Sequence, residues 1–261
     1  MMRSLWTAAT GMVAQQMNID VLSNNLANVS TIGFKKNRAE FEDLIYQSPR
    51  IAGVMNGADM MIPVGIQVGL GVRPTAVHKI FSQGDYQYTG NPVDLAIEGQ
   101  GFFQVLDVNG DEVYTRAGAF KLNSDGAIVT ANGYPLQPEF TVPDDTVNLV
   151  VTENGHIAAL DKNGQELAAA DIPLYTFINP SGLNSRGRNL YSPTEASGDP
   201  VEGVPGENNV GTIAQGFLEM SNVEIVDEMV TMIVGQRAYE VNSKAITTSD
   251  QMLGIAVNMK R

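Results

Sequence analysis

The sequence predicts an α+β protein in which long N- and C-terminal helices form a coiled-coil-like layer, with a central, mostly antiparallel β domain between them in the chain. Three observations predict this class. All 12 prolines lie between Pro49 and Pro205, and 21 of the 26 glycines lie within residues 46–214. Apolar residues at both ends of the chain repeat at helical spacing. Short apolar or alternating runs, separated by hairpin-type dipeptides, fill the middle.

The N-terminal end carries the first helical pattern. Apolar residues recur there at spacings of four and three, which is the period of an amphipathic helix, and the pattern predicts a helix over about 4–28. Its apolar stripe supplies the first candidate residues for an assembly interface, namely Leu5, Trp6, Met12, Ile19 and Leu26.

The C-terminal end carries a longer pattern. Ser221 and Glu224 have the spacing of a capping box, and apolar residues then recur at spacings of four and three to Met259. From Ala238 onward the spacing is that of a heptad seam. A helix of about 38 residues would be roughly 57 Å long, so it requires a partner, and the N-terminal helix is the obvious candidate. The candidate interface residues on this helix are Val226, Val230, Val234, Val241, Met252 and Ile255.

The middle of the chain has the pattern of short strands. Five hairpin-type dipeptides end at Gly110, Gly126, Gly133, Gly155 and Gly164, with short apolar or alternating runs around them. This pattern is typical of a small sandwich or barrel-like domain. We expect a long return loop at 181–210 and an extended segment at 47–66. The predicted organisation is a helical polymerisation domain of residues 1–35 with 215–261, a connecting segment of 36–75 and a β-rich domain of 76–214.

Composition excludes several classes of function. The formal charge of −13 argues against a nucleic-acid partner, and the absence of cysteine excludes a thiolate nucleophile or a cysteine metal site. With two histidines and no paired catalytic carboxylates, we predict no catalytic, cofactor or metal site. The sequence Gly99-Gln100-Gly101 lacks the third glycine of a dinucleotide loop. The first 20 residues do not have a Sec signal pattern, so we expect either a cytoplasmic protein or export by another route.

Three strings in the middle of the chain are distinctive, namely GLGVRP at 69–74, DLAIEGQGFFQV at 94–105 and YTRAGAF at 114–120. With these strings and similar motifs at both ends, the sequence resembles the flagellar basal-body rod protein family, which also includes hook-type axial proteins. The similarity extends over nearly the whole chain. The opening residues, the chain length and the segment 46–69 are most similar to distal rod members, while proximal rod and hook-type members remain alternatives. The family motif residues are Asn24, Asn25, Leu26, Ala27, Asn28, Gly33, Phe34, Gln236, Arg237, Ala238, Tyr239 and Glu240.

The resemblance implies a structural subunit that self-assembles into a tubular drive shaft and transmits torque from motor to hook. The terminal helices would form the inner layer. Separately, the many apolar side chains of segment 47–66, on a stretch without helical period, predict that this segment contacts a neighbouring copy. The implied partners are further copies of the chain, proximal rod proteins, the hook protein, the surrounding wall and outer-membrane ring proteins, and the flagellar type III export apparatus. The implied location is the basal body, from the periplasm to the outer membrane, reached without a cleaved Sec signal.

Two other classes compete with this interpretation. An enzyme acting on the cell wall would need a paired-carboxylate or metal site, which the sequence does not provide, and a turnover assay would identify it. A monomeric binding module with a helical stalk would be distinguished by the size of the assembled particle.

Overall fold

The fold was analysed in a computed structural model that describes residues 2–50, 55–56, 60–61 and 64–259. Helix α1 spans Met2–Ala27 and helix α2 spans Ile225–Asn258, with antiparallel β-structure between them. The α+β class is therefore confirmed. Neither described helix is long and apolar enough to cross a membrane. The chain divides into two compact units, with residues 27–36 and 79–224 in the second and the remaining residues in the first.

The first unit combines both helices with six strands. These are β1 (Asn37–Asp43), β2 (Tyr46–Arg50), β3 (Met55–Asn56), β4 (Met60–Met61), β5 (Ile66–Gly69) and β6 (Val72–Lys79). Strand β1 pairs with β6, β2 with β5 and β3 with β4, so residues 46–69 contain paired β-ribbons. The expected extended segment therefore has regular structure where it is described. Its apolar residues Ile51, Val54 and Ile62 lie outside the described residues.

The start of α2 differs from the predicted capping box. The helix begins at Ile225, and the Ser221 hydroxyl accepts a hydrogen bond from the Val223 N–H at 3.3 Å. The neighbouring Asn222 side chain accepts from the Lys36 N–H at 2.7 Å and donates to the Ile80 carbonyl at 2.9 Å. Because these bonds hold residues 221–222 in a non-helical connection, the helix starts one turn later than predicted.

The second unit contains the remaining strands, which pair antiparallel. Their bounds are β7 (Tyr86–Tyr88), β8 (Leu95–Glu98), β9 (Phe103–Leu106), β10 (Glu112–Thr115), β11 (Phe120–Leu122), β12 (Ile128–Thr130), β13 (Asn148–Val151), β14 (His156–Leu160), β15 (Glu166–Asp171), β16 (Leu174–Thr176), β17 (Asn184–Gly187), β18 (Leu190–Ser192), β19 (Val201–Gly203), β20 (Thr212–Gln215) and β21 (Phe217–Glu219). A short 3₁₀ turn spans Pro180–Gly182.

These strands form small sheets around a main apolar core, and a second buried cluster contains Phe102, Tyr114 and Tyr191. The largest has four strands in the order β17-β18-β10-β9, and another has three in the order β13-β14-β15; the rest are two-stranded. The core contains Ile97, Phe103, Val105, Val113 and Ile157, all with no exposed surface. The hairpin-type dipeptides lie where the sequence predicted turns, and the glycine of each has positive φ, from 75° at Gly164 to 85° at Gly133.

The expectation of a long return loop at 181–210 is wrong. Strands β17, β18 and β19 lie within it, and Tyr191 of β18 pairs with Tyr114 of β10 inside the four-stranded sheet. Polar composition concealed these strands because β17 is exposed along its whole length, while β18 contributes only three buried residues. A strand this short has too few residues to display an alternating pattern.

Candidate assembly interface

The two helices of the first unit pack antiparallel through small and polar side chains. The hydroxyls of Ser4 and Ser249 lie 3.3 Å apart. About two turns further into the pair, a Cβ placed on Gly11 would lie 2.9 Å from Nδ2 of Asn242. A Cβ on Gly235 would lie 3.5 Å from Ile19. The absence of a side chain at Gly11 leaves room for Asn242, whereas a Cβ on Gly235 would be at an ordinary van der Waals distance from Ile19.

Asn25 closes one end of this helix pair. Its side chain is 1% exposed, donates to Glu228 Oε2 at 3.2 Å and donates to the Asn37 carbonyl at 2.9 Å. Its Oδ1 accepts the Asn37 N–H at 2.8 Å. The amide nitrogen of Asn25 thus donates twice and its amide oxygen accepts once, and a buried amide needs such partners. Asn25 therefore connects the end of α1 to the first turn of α2 and to the start of β1.

The line of α2 residues that contacts α1, here called the seam, does not coincide with the apolar stripe that the sequence predicts on α2. The residues in the seam include Gly235, Asn242 and Ser249, whereas the stripe includes Val234, Val241 and Thr248. Each seam residue follows a stripe residue by one position, which is about 100° around a helix. The pairing of α1 with α2 consequently leaves the apolar stripe uncovered.

The candidate interface residues on α2 are all exposed. Their exposed fractions run from 46% to 66%, for Val226, Val230, Val234, Val241, Met252 and Ile255. On α1, Trp6 is 69% exposed, whereas Leu5, Met12, Ile19 and Leu26 are half-buried. Ile19 faces Gly235 within the same chain. Contacts of these residues with another copy remain a prediction.

The family motif residues divide between the two units. In α2, Ala238 is half-buried and its four neighbours in the motif, Gln236, Arg237, Tyr239 and Glu240, are exposed. Arg237 pairs with Glu240 at 3.0 Å. At the end of α1, Asn24, Leu26, Ala27 and Asn28 range from half-buried to exposed, unlike the buried Asn25.

The second unit contains a buried cluster of three charges. Lys35 Nζ lies 2.5 Å from Glu219 Oε1, and Arg116 Nε lies 2.5 Å from Glu219 Oε2. Their side chains are at most 5% exposed. Lys35 also donates to the Ser82 carbonyl at 2.7 Å, and the Gly84 N–H donates to Glu219 Oε1 at 3.0 Å. Burial lowers the pKa of Lys35, while the Glu219 carboxylate opposes that shift.

The Arg116 guanidinium binds the loop at Gly99-Gln100-Gly101. It donates to the carbonyls of Gly101 at 2.6 Å, Gly99 at 2.7 Å and Ile97 at 2.9 Å. It also donates to Gln83 Oε1 at 3.0 Å. The two glycines of this loop have φ of 108° and 143°, values that glycine adopts readily. The loop therefore directs its carbonyl oxygens at an arginine and is not a phosphate-binding loop.

The motif residues Gly33 and Phe34 lie in the same cluster. The Gly33 N–H donates to the Glu219 carbonyl at 2.8 Å, and the ammonium of Lys79 lies 5.2 Å above the Phe34 ring. The motif around residues 31–35, the YTRAGAF string and the end of β21 therefore meet at one place. The sequence analysis named Gly33, Phe34 and the YTRAGAF string but did not relate them to Glu219. A lone charged residue inside each otherwise apolar or small string was the signal that could have identified it.

Among the described residues, no group of three or more histidine or acidic side chains is arranged to hold a metal ion. The chain has a β unit with a buried apolar core and a helix pair with a long uncovered apolar stripe. These features define the class of the molecule as a structural assembly protein.

Comparison with known proteins identifies the family within that class. Residues 5–35 match the family described as "Flagella basal body rod protein", residues 96–159 match "Flagellar hook protein FlgE/F/G D1 domain", and residues 214–259 match "Flagellar basal body rod FlgEFG protein C-terminal".

Three curated relatives extend this similarity over the full length. The flagellar basal-body rod protein FlgG of Borreliella burgdorferi is 49% identical, with 100% of both chains covered. The FlgG of Buchnera aphidicola subsp. Schizaphis graminum is 48% identical over 97% of this chain and 98% of its own. The FlgG of Bacillus subtilis is 39% identical, again with 100% of both chains covered.

The chain therefore belongs to the flagellar basal-body rod protein family. It is a structural subunit of the flagellar basal body, most similar to distal rod members, as the sequence predicted. The relatives are named as flagellar basal-body rod proteins, and these matches indicate no enzyme family.

Proposed function

We propose that copies of this chain assemble into the tubular distal rod through the apolar stripe of α2. The single observation that carries the proposal is the exposure of this stripe. Val234, Val241 and Ile255 are 60–65% exposed although α2 is already paired with α1. Fully burying one such side chain is worth roughly 1.5–3 kcal/mol, so a row of them strongly favours association with another copy.

The assembled rod transmits torque from the motor to the hook in this proposal. Its partners are the proximal rod proteins at one end, the hook protein at the other, and the wall and outer-membrane rings around it. The chain crosses the periplasm within the basal body and reaches it through the flagellar type III export apparatus. Family membership supports these assignments, and the net charge of −13 supports the expectation of no nucleic-acid partner.

The ribbon of β2 and β5 is proposed as a second contact between copies. Val64 is 74% exposed and Ile66 is 52% exposed, and Tyr46 on the paired strand is 51% exposed. A contact made by such a ribbon would resist sliding of neighbouring copies and stiffen the rod. No catalytic role is proposed for any residue, because assembly alone accounts for the surfaces described above.

The test of the α2 interface is Val241→Asp, compared with Thr247→Asp. Both positions are exposed, both residues are β-branched, and both lie on α2, but Thr247 is outside the stripe. Burying an unpaired carboxylate costs several kcal/mol, so we expect Val241→Asp to be exported and to leave no distal rod. Electron microscopy of isolated basal bodies measures the result, and the amount of chain outside the cytoplasm controls for export.

Thr247→Asp should give normal rods, because it introduces the same charge and the same loss of β-branching away from the stripe. Normal rods from Val241→Asp would show that copies meet through another surface. Equal failure of both variants would show that the charge affects α2 generally, and the proposed interface would then be wrong.

A further inference from the structure

The turn between β17 and β18 is an exception among the hairpin turns of this chain. Arg188 and Asn189 form a two-residue loop with φ of 56° and 59°. Such loops require positive φ at both positions, which asparagine and glycine tolerate best. The chain uses Asn-Gly or Asp-Gly at five other turns, but here it places an arginine in the left-handed region. An unfavourable backbone conformation that persists in a well-supported turn indicates a functional constraint.

The surrounding structure holds this turn in place. The Asn189 side chain donates to the Ile32 carbonyl at 2.9 Å, and the Thr115 hydroxyl donates to the Asn189 carbonyl at 2.9 Å. Nη1 of Arg188 donates to the Tyr134 hydroxyl oxygen at 2.5 Å. The guanidinium therefore has a fixed position although Arg188 is exposed.

Arg188 and Tyr134 line a cavity of about 310 Å³ whose lining is more apolar than polar. Ala117, Ala119 and Ala131 are among the apolar lining residues, and Asn132 adds a side-chain amide. The phenol of Tyr134 accepts from Arg188, and in the described part of the chain its own O–H has no acceptor. The remaining guanidinium N–H groups and this O–H are donors available to a ligand that accepts hydrogen bonds.

Charge identifies the ligand chemistry. Arg38, Arg73, Arg116, Arg186 and Arg237 each have a carboxylate within ion-pair distance. Among the described residues Arg3, Arg50 and Arg188 have none, and Arg188 is an arginine that lines a cavity. The planar guanidinium of Arg188 can donate two parallel hydrogen bonds to a carboxylate, and the apolar lining residues can contact the methylene groups of an acidic side chain. The chain itself is rich in such groups, with 29 acidic and 16 basic residues.

We propose that the Arg188–Tyr134 cavity binds a carboxylate side chain of a second copy of this chain. The proposal rests on the proposed self-assembly and adds a polar contact, made by the β unit, that is separate from the α2 stripe. A charge pair across the contact would fix how neighbouring copies align, since electrostatic complementarity contributes specificity more than affinity.

The matched variants are Arg188→Gln and Arg186→Gln. They remove one positive charge each, two residues apart, but Arg186 is already paired with Asp111 at 3.1 Å within the chain. The concentration of purified chain required for polymer formation, measured by sedimentation, should rise at least tenfold for Arg188→Gln and remain near wild type for Arg186→Gln. Tyr134→Phe should raise it by a smaller factor.

Arg188→Gly separates binding from folding. Glycine removes the backbone constraint at φ of 56°, so the urea midpoint of the monomer should equal or exceed that of wild type while polymer formation is weakened as in Arg188→Gln. Wild-type polymer formation should weaken as salt increases, and that dependence should be reduced in Arg188→Gln.

Three results would overturn the proposal. Arg188→Gln could form polymer at the wild-type concentration while Val241→Asp forms none, which would leave the α2 interface intact and remove the cavity from assembly. Equal effects of Arg186→Gln and Arg188→Gln would indicate a general effect of charge. Polymer formation that is normal in both Arg188→Gln and Val241→Asp would contradict the proposed function as well.

Discussion

Lys35 and Glu219 form an ion pair of 2.5 Å in which both side chains are 1% exposed. They are separated by 184 residues, so the contact joins the segment that follows α1 to the end of β21, the last strand before α2. Arg116 binds the other oxygen of the same carboxylate. Because one buried carboxylate serves two buried cations, its removal should be far more damaging than the loss of a surface ion pair.

Glu219→Gln should lower the free energy of unfolding by about 3–5 kcal/mol, because it leaves Lys35 and Arg116 buried without a counter-charge. Urea unfolding measures the loss. The control is Asp111→Asn, which breaks a partly exposed pair with Arg186 in the same unit and should cost about 0.2–1 kcal/mol. Similar losses in the two variants would mean that the buried cluster contributes no more than a surface pair.

Gly33→Ala should be more destabilising than Gly110→Ala. Both glycines have positive φ, of 67° and 82°, so each substitution costs about 1 kcal/mol in the backbone. Only at Gly33 would the new Cβ meet other atoms, since it would lie 2.7 Å from the backbone nitrogen of Ala117, whereas Gly110 has open space. That clash adds about 1–3 kcal/mol. Equal unfolding free energies for the two variants would contradict the close approach at Gly33.

Stability of the folded chain should fall as pH rises above about 10. Burial, followed by the Glu219 charge, raises the pKa of Tyr191, so above pH 10 the unfolded chain loses this proton before the folded chain does. The stabilisation that the neutral Tyr191 phenol contributes is therefore complete below pH 10, and it is lost as pH rises toward the pKa of Tyr191 in the folded chain. Burial raises the pKa of Tyr86 to about 12, which acts in the same direction. The lowered pKa of Lys35 acts in the opposite direction and partly offsets the fall.

Tyr191→Phe should flatten this alkaline decrease by up to about 1.4 kcal/mol per pH unit, the value for one proton. Urea midpoints measured between pH 9 and 12 give the slope. Tyr88→Phe is the matched control because that ring is 70% exposed, and it should change the slope less. A slope unaltered by Tyr191→Phe would show that the buried phenol does not control alkaline unfolding.

The sequence by itself determined the elements whose signals are local. The helical spacing of apolar residues predicted the ends of both helices to within a few residues, because four or more helical turns repeat the same signal. Asn-Gly and Asp-Gly pairs located the tight turns, because positive φ is a property of the residues themselves. The sequence also determined the family, since the motifs extend over the whole chain.

Only the tertiary structure decided which faces and charges meet. The stripe that contains Val241 predicted the packed face of α2, but the helix pair formed one residue away, through Asn242, because small and polar residues there fit against Gly11. Likewise nothing local relates Lys35 and Arg116 to Glu219. Contacts between residues far apart in the chain depend on how the whole fold brings its segments together. The residue pattern within one segment therefore does not identify the segment that it contacts.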